Sequence, residues 1–215
     1  MAVSIRDPSR IVVIQMGNQD SFSQVKSMLL QHQDEVTQLG FLPVWEEGGK
    51  AMVSAGKDGY VRVTSIASGR TLKKIEIGAR APASILQVSP DGKLVVTVWG
   101  RDVVLWFLET GRVHTYNLNA VRQTEGWPLC VSPCCSYLAC RTEEGFDVSD
   151  VVTGKFRGEL ARKGEPITAA AFNNDGTRLA VGTSLESLEF MRSLQPNEAH
   201  IKVLQGRSDA IINRQ

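Results

Sequence analysis

Ile85-Leu86-Gln87-Val88-Ser89-Pro90-Asp91-Gly92-Lys93-Leu94-Val95-Val96-Thr97-Val98 is the stretch on which the reading of this chain turns. Two short runs rich in Val, Ile and Leu flank a Ser-Pro-Asp-Gly stop, the pattern of two buried strands joined by a tight turn. The same device returns twice. Ser132-Pro133 follows Leu129-Cys130-Val131, and Asn173-Asn174-Asp175-Gly176 follows Ala169-Ala170-Ala171-Phe172, so Ser89, Ser132 and Asn173 stand 43 and 41 residues apart. A second series of turns, Ser68-Gly69, Thr110-Gly111 and Thr153-Gly154, has intervals of 42 and 43 residues between its glycines. Two independent turn signals share one period.

A period of roughly 40 to 45 residues filled only by short strands and turns is the period of propeller blades, each a four-stranded antiparallel sheet. Runs such as Val103-Val104-Leu105-Trp106 are too short and too β-branched for amphipathic helices. The expected fold is therefore all-β, with four complete blades near 36–77, 83–118, 126–160 and 167–204 and partial blades at both ends. Arg10 to Met16 and residues 23–30 read as the last two strands of an earlier blade, and residues 210–213 as the first strand of a further one. Such ends leave raw sheet edges, which closed rings avoid. Strand pairing with another chain at the N- and C-terminal edges is one expected remedy; membership of a larger propeller is the other.

Composition narrows the function classes. The 215 residues suffice for a substantial core, and 24 Lys and Arg against 23 Asp and Glu leave a net charge of +1, with no electrostatic footprint for nucleic acid or anionic membrane. No apolar run approaches the roughly 18 residues that span a bilayer, and residues 1–10 lack the apolar core of a secretory signal. The four cysteines, Cys130, Cys134, Cys135 and Cys140, sit in one short stretch and form no Cys-x-x-Cys pair, so they read as core or turn thiols and not as zinc ligands or a disulfide frame. The expectation is a cytoplasmic protein, with the nucleus also open, that carries no cofactor and no metal. Gly48-Gly49, Gly56 and Gly59 form no phosphate-binding loop and read as turn glycines, and Glu143-Glu144 are paired in sequence only, since adjacent strand residues would point to opposite faces, and read as a solvated turn.

The residues resemble the WD-repeat family. Gln31-His32 followed by Val36 resembles its Gly-His start, Ser54-Ala55-Gly56-Lys57-Asp58-Gly59-Tyr60-Val61-Arg62-Val63 its turn between second and third strands, and Leu105-Trp106-Phe107 with Thr110-Gly111 its third-strand ending. Phe107 stands where Asp is usual, and Thr64-Ser65 and Ser149-Asp150 fill the Trp-Asp slot elsewhere, so the repeats are degenerate. The resemblance implies that His32, Ser54 and Asp58 form a buried hydrogen-bond network. A catalytic version, with His32 as general base oriented by Asp58, is the weaker reading, because fixing a turn explains the same residues without a substrate.

The resemblance also implies partner-binding positions on one ring face: Glu35, Thr37 and Lys57 in the first complete blade, Pro82, Ser84 and Trp99 in the second, and Glu125, Trp127 and Thr142 in the third. Exposed aromatics flanked by charge are typical binding anchors, and burial between blades is the competing reading for Trp99 and Trp127. The function expected is a non-catalytic scaffold that presents peptide- or protein-binding surfaces. Its rivals are a regulatory propeller module or fragment of a larger signalling or ciliary scaffold and, less favoured, a small-ligand or enzymatic propeller, which would need a polar cluster at the ring centre.

Overall fold

The structure is a computed structural model that describes residues 2–4, 10–16, 22–29, 31–43, 45, 49–78, 81–118, 126–143, 145–161, 167–183 and 188–192. Eighteen strands run through these residues in five antiparallel sheets, each built from strands consecutive in the chain. The first sheet holds β1 (Ala2–Ser4), β2 (Arg10–Met16) and β3 (Phe22–Leu29). The second runs β4 (Val36–Leu42), β5 (Ala51–Gly56), β6 (Tyr60–Ser65), β7 (Thr71–Glu76), and the third β8 (Ala83–Val88), β9 (Leu94–Trp99), β10 (Asp102–Phe107), β11 (Val113–Asn117). The fourth runs β12 (Gly126–Val131), β13 (Tyr137–Thr142), β14 (Gly145–Asp150), β15 (Phe156–Ala161), and the fifth β16 (Ile167–Phe172), β17 (Arg178–Thr183), β18 (Leu188–Arg192).

The two-strand reading of the N-terminal segment is corrected. β1 adds a third strand, pairing Ala2 with Val13 and Ser4 with Ile11. Three residues show no alternation to read, and only the β-branched partner strand selects their conformation. Residues 210–213 and the stretch beyond Arg192 lie outside the described residues.

Middle strands are apolar on both faces. β5, β9 and β14 are buried at all six positions, and β6 and β10 at their four central ones. Such a sheet needs cover, and within each of the two compact units of the chain, 1–114 and 115–215, a neighbouring sheet supplies it on one face. In the first unit Val53, Ala55, Val61 and Val63 of the second sheet pack with Val88, Val95, Val104 and Trp106 of the third in one cluster. A Cβ on Gly40 would lie 2.7 Å from Leu86 Cδ2, so the glycine lets β4 and β8 approach. In the second unit Tyr137, Ala139, Phe146 and Val148 pack against Ile167, Leu179 and Val181.

The turns repeat bond for bond. Ser89, Ser132 and Asn173 each donate their N–H to the carbonyl of the residue five positions on (Leu94, Tyr137, Arg178) at 2.8–3.0 Å. Each also presents a side-chain oxygen to the returning strand: Ser89 Oγ accepts from Leu94 N–H, Ser132 Oγ from Tyr137 N–H, and Asn173 Oδ1 from Arg178 N–H. The left-handed residue of the turn is Gly92, Cys135 or Gly176, with φ of 71°, 56° and 71°. The third-strand endings match as well: Gly69, Gly111 and Gly154 donate to the carbonyls of Ser65, Phe107 and Asp150, each at 2.8 Å. In the last of these the Asp150 carboxylate takes the N–H groups of Val152 and Thr153 and the Thr153 hydroxyl, and pairs with Arg157 Nη2 at 2.9 Å. Among the described residues no helix is long and apolar enough to cross a membrane.

Inter-sheet packing should dominate stability. Phe146→Ala, which empties a 1 % exposed site between sheets, is expected to cost about 3–5 kcal/mol in chemical denaturation. Leu72→Ala, on the exposed outer strand β7, should stay within about 0.5 kcal/mol of the parent.

Candidate functional site

The polar centre of the second sheet is assembled from three segments. Ser54 sits in the middle of β5, Asp58 in the turn to β6, and His32 in the segment that precedes β4. His32 Nδ1 lies 2.9 and 3.0 Å from the two Asp58 oxygens, and Nε2 lies 2.8 Å from Ser54 Oγ. Asp58 also accepts the N–H groups of Gln33 at 3.0 Å and Tyr60 at 3.2 Å and faces Arg62 Nη2 at 3.4 Å. The carboxylate thereby ties the approach to β4 to the turn between β5 and β6. Gln31, where the resembling family has glycine, takes a left-handed φ of 57° to aim His32 inward.

Electrostatics set the protonation. Burial pushes the His32 imidazole below its usual value of 6.5, against the pull of the Asp58 hydrogen bond and charge. Burial also opposes charge on Asp58, but the His32 hydrogen bond and the N–H groups of Gln33 and Tyr60 outweigh it and hold its carboxyl below the usual 3.8. Neutral His32 therefore donates from Nδ1 to the aspartate and accepts the Ser54 hydroxyl at Nε2.

This is the hydrogen-bond polarity of a Ser-His-Asp nucleophile, yet Ser54 is 0 % and His32 5 % exposed. A substrate carbonyl cannot reach Ser54 Oγ, so the network fixes backbone. Nor is there space to spare: a Cβ on Gly56 would fall 2.5 Å from His32 Nδ1 and 2.7 Å from Asp58 Oδ1.

The partner-binding candidates divide. Glu35 and Lys57 are exposed and joined to each other, Lys57 Nζ to Glu35 Oε2 at 2.6 Å and Lys57 N–H to the Glu35 carbonyl. Thr37 is half-buried, Pro82 and Ser84 are exposed, and Thr142 ends β13 half-buried. Trp127 is 51 % exposed on β12. Trp99 is corrected: it is 2 % exposed, lies in the core cluster of the first unit, and donates Nε1–H to Thr97 Oγ1 at 2.9 Å. Its indole faces inward because it closes β9, a strand buried at every position. Glu125 lies outside the described residues.

Thr37 and Ser84 share a feature that their sequence does not announce. Each is the extra residue of an irregularity at the start of its sheet, and its hydroxyl donates to the carbonyl of the penultimate residue of the next strand, Ala55 or Val98, at 3.3 Å. Thr168 does the same with Gly182 at 3.3 Å in the fifth sheet. Thr168 was missed for want of a family motif to align it, although its place one residue after the start of a first strand was available. Arg141 was missed too. It is exposed, pairs across from Trp127, and sends Nη1 to the Ile167 carbonyl at 3.4 Å.

The four cysteines are free thiols: Cys130 on β12, Cys134 and Cys135 in the turn, and Cys140 on β13. Burial raises the Cys130 thiol to about 11, which makes it a poor nucleophile at neutral pH. Among the described residues no group of three or more His, Cys, Asp or Glu could hold a metal ion.

Two outcomes test the network. Gly56→Ala should lower unfolding free energy by about 1–3 kcal/mol through overpacking, and Ser54→Ala by a similar amount by orphaning His32 Nε2. The folded state prefers neutral His32, so stability should fall as pH drops through 6.5, and fall again below 3.8 as Asp58 protonates. Denaturation midpoints from pH 7.5 to 5 should therefore slope less in His32→Gln than in the parent chain. No family model matches the chain, and no curated protein matches it in sequence.

Proposed function

We propose that this chain is a non-catalytic protein-interaction scaffold, its sheets being blades of a WD-repeat β-propeller that presents peptide- or protein-binding surfaces. One observation carries the reading: successive four-stranded sheets with the same strand order are closed by the same backbone bonds at the same turns. Repetition of that kind serves a stack of rigid sheets that hold their connecting loops in place. The buried Ser54-His32-Asp58 network supports it, since it locks a turn and offers no reacting group to solvent. Each unit leaves its own surface for recognition: Glu35, Lys57, Pro82 and Ser84 are exposed in the first, and Trp127 in the second. Partners of such a surface are other proteins or peptides, met in the cytoplasm.

Selection of displayed random peptides on the immobilised full chain tests this. Saturable binders should emerge, and replacement of the exposed candidates (Lys57→Ala, Ser84→Ala, Trp127→Ala) should weaken them about tenfold for at least one residue while leaving the thermal midpoint unchanged. Failure to enrich any binder, or binders indifferent to every one of these substitutions, would count against the scaffold reading.

A further inference from the structure

We propose that Trp127 and Arg141, side by side on β12 and β13, form the docking site for an acidic peptide segment, the indole taking an apolar side chain and the guanidinium a carboxylate. This rests on the scaffold reading above and names the partner's chemistry.

The argument starts from a rule that one sheet breaks. At the second residue of the first strand, three sheets place a small hydroxyl residue out of register and tie it to the penultimate residue of the next strand: Thr37 to Ala55, Ser84 to Val98, Thr168 to Gly182. The fourth sheet puts Trp127 at that place and Arg141 at the penultimate position, and pairs them directly. The register shift moves down to Pro128/Cys130. A small, self-satisfied corner is thus replaced by the largest side chain and a cation, with an indole left half in water. A local rule broken in one sheet alone, by a half-exposed indole set beside an exposed cation, marks a functional position.

Directly opposed residues of an antiparallel pair share a face with Cβ atoms about 4.5–5.5 Å apart, so indole and guanidinium present one surface. Arg141 is positioned from below by the Ile167 carbonyl, which occupies one of its five N–H donors. A planar fork held in this way suits bidentate recognition of a carboxylate, and Trp and Arg are the residue types most enriched where binding energy concentrates. Charge complementarity selects the occupant. Glu143, exposed two residues on, is the nearest described carboxylate in sequence and has no hydrogen bond or ion pair to Arg141. A nucleobase could also stack on the indole, but the chain's net charge of +1 offers no phosphate-tracking surface.

The test uses the full chain and two fluorescein-labelled peptides, one alternating Leu and Asp, the other Leu and Lys, read by anisotropy. The acidic peptide should bind in preference, Trp127→Ala and Arg141→Ala should each weaken it about tenfold, and Arg141→Lys should recover part of the loss. Arg141→Glu should reverse the preference. Both residues are exposed, so thermal midpoints should not move, and a Leu72→Ala chain, altered at an exposed residue outside every binding candidate, should bind as the parent does. Equal binding of the two peptides, or parental affinity in the Trp127 and Arg141 variants, overturns the proposal, as does a single-stranded oligonucleotide that binds this pair in place of the acidic peptide. If selected peptides bind but map to Lys57 or Ser84, this docking site fails and the scaffold stands. If neither selection nor the acidic peptide gives binding, both fail.

Discussion

A sheet whose middle strands are apolar on both faces cannot exist alone in water, and everything else in this molecule answers to that constraint. β5, β9 and β14 bury every residue, so each face needs a cover and no helix of the described order supplies one. Sheets covering sheets is the remaining solution, and it propagates, since each cover has a second face of its own. The cross-sheet clusters that join Val63 to Trp106, and Phe146 to Leu179, are the local form of that demand.

Polar groups enter such a core only when satisfied. Ser54 lies in the middle of the fully buried β5 and is accepted there because His32 takes its hydroxyl, Asp58 takes the imidazole, and two backbone N–H groups hold the carboxylate. The same chain of bonds joins the entry segment, a strand and a turn. Keeping the imidazole neutral and the carboxylate charged out of water is what should make this network sensitive to acid.

Sequence alone carried the period and the strand-turn-strand units, because both rest on short-range patterns of apolar runs and turn residues; the His32-Ser54-Asp58 partnership, which joins residues 22 and 26 positions apart, was implied only by the family resemblance. It did not carry β1, three residues long and defined by its partner Ile11-Val12-Val13 stretch. Trp99 shows a different limit. An indole two residues from Thr97 reads equally as anchor or core, and only the direction of β9 against its neighbour decides for the core. Arg141 and Thr168 depend on register, and a shift of one residue, which no composition reveals, determines what lies opposite what. The Cys134-Cys135 turn was legible only as a departure from Asp-Gly; that Cys135 adopts the left-handed φ of Gly92 and Gly176 required the backbone.

The turn closures carry an implication for how such a chain can change over time. Ser65 to Gly69, Phe107 to Gly111 and Asp150 to Gly154 make the same backbone bond with different side chains: a hydroxyl, a phenyl ring and a carboxylate stand at one position. What is held constant is the path of the main chain, to which a side chain contributes only where it can. Substitutions that respect the glycine and the apolar runs leave that path intact, so the repeats can lose their shared lettering one residue at a time without any step that unfolds the sheet. Architecture of this kind outlasts the spelling by which relatives recognise one another.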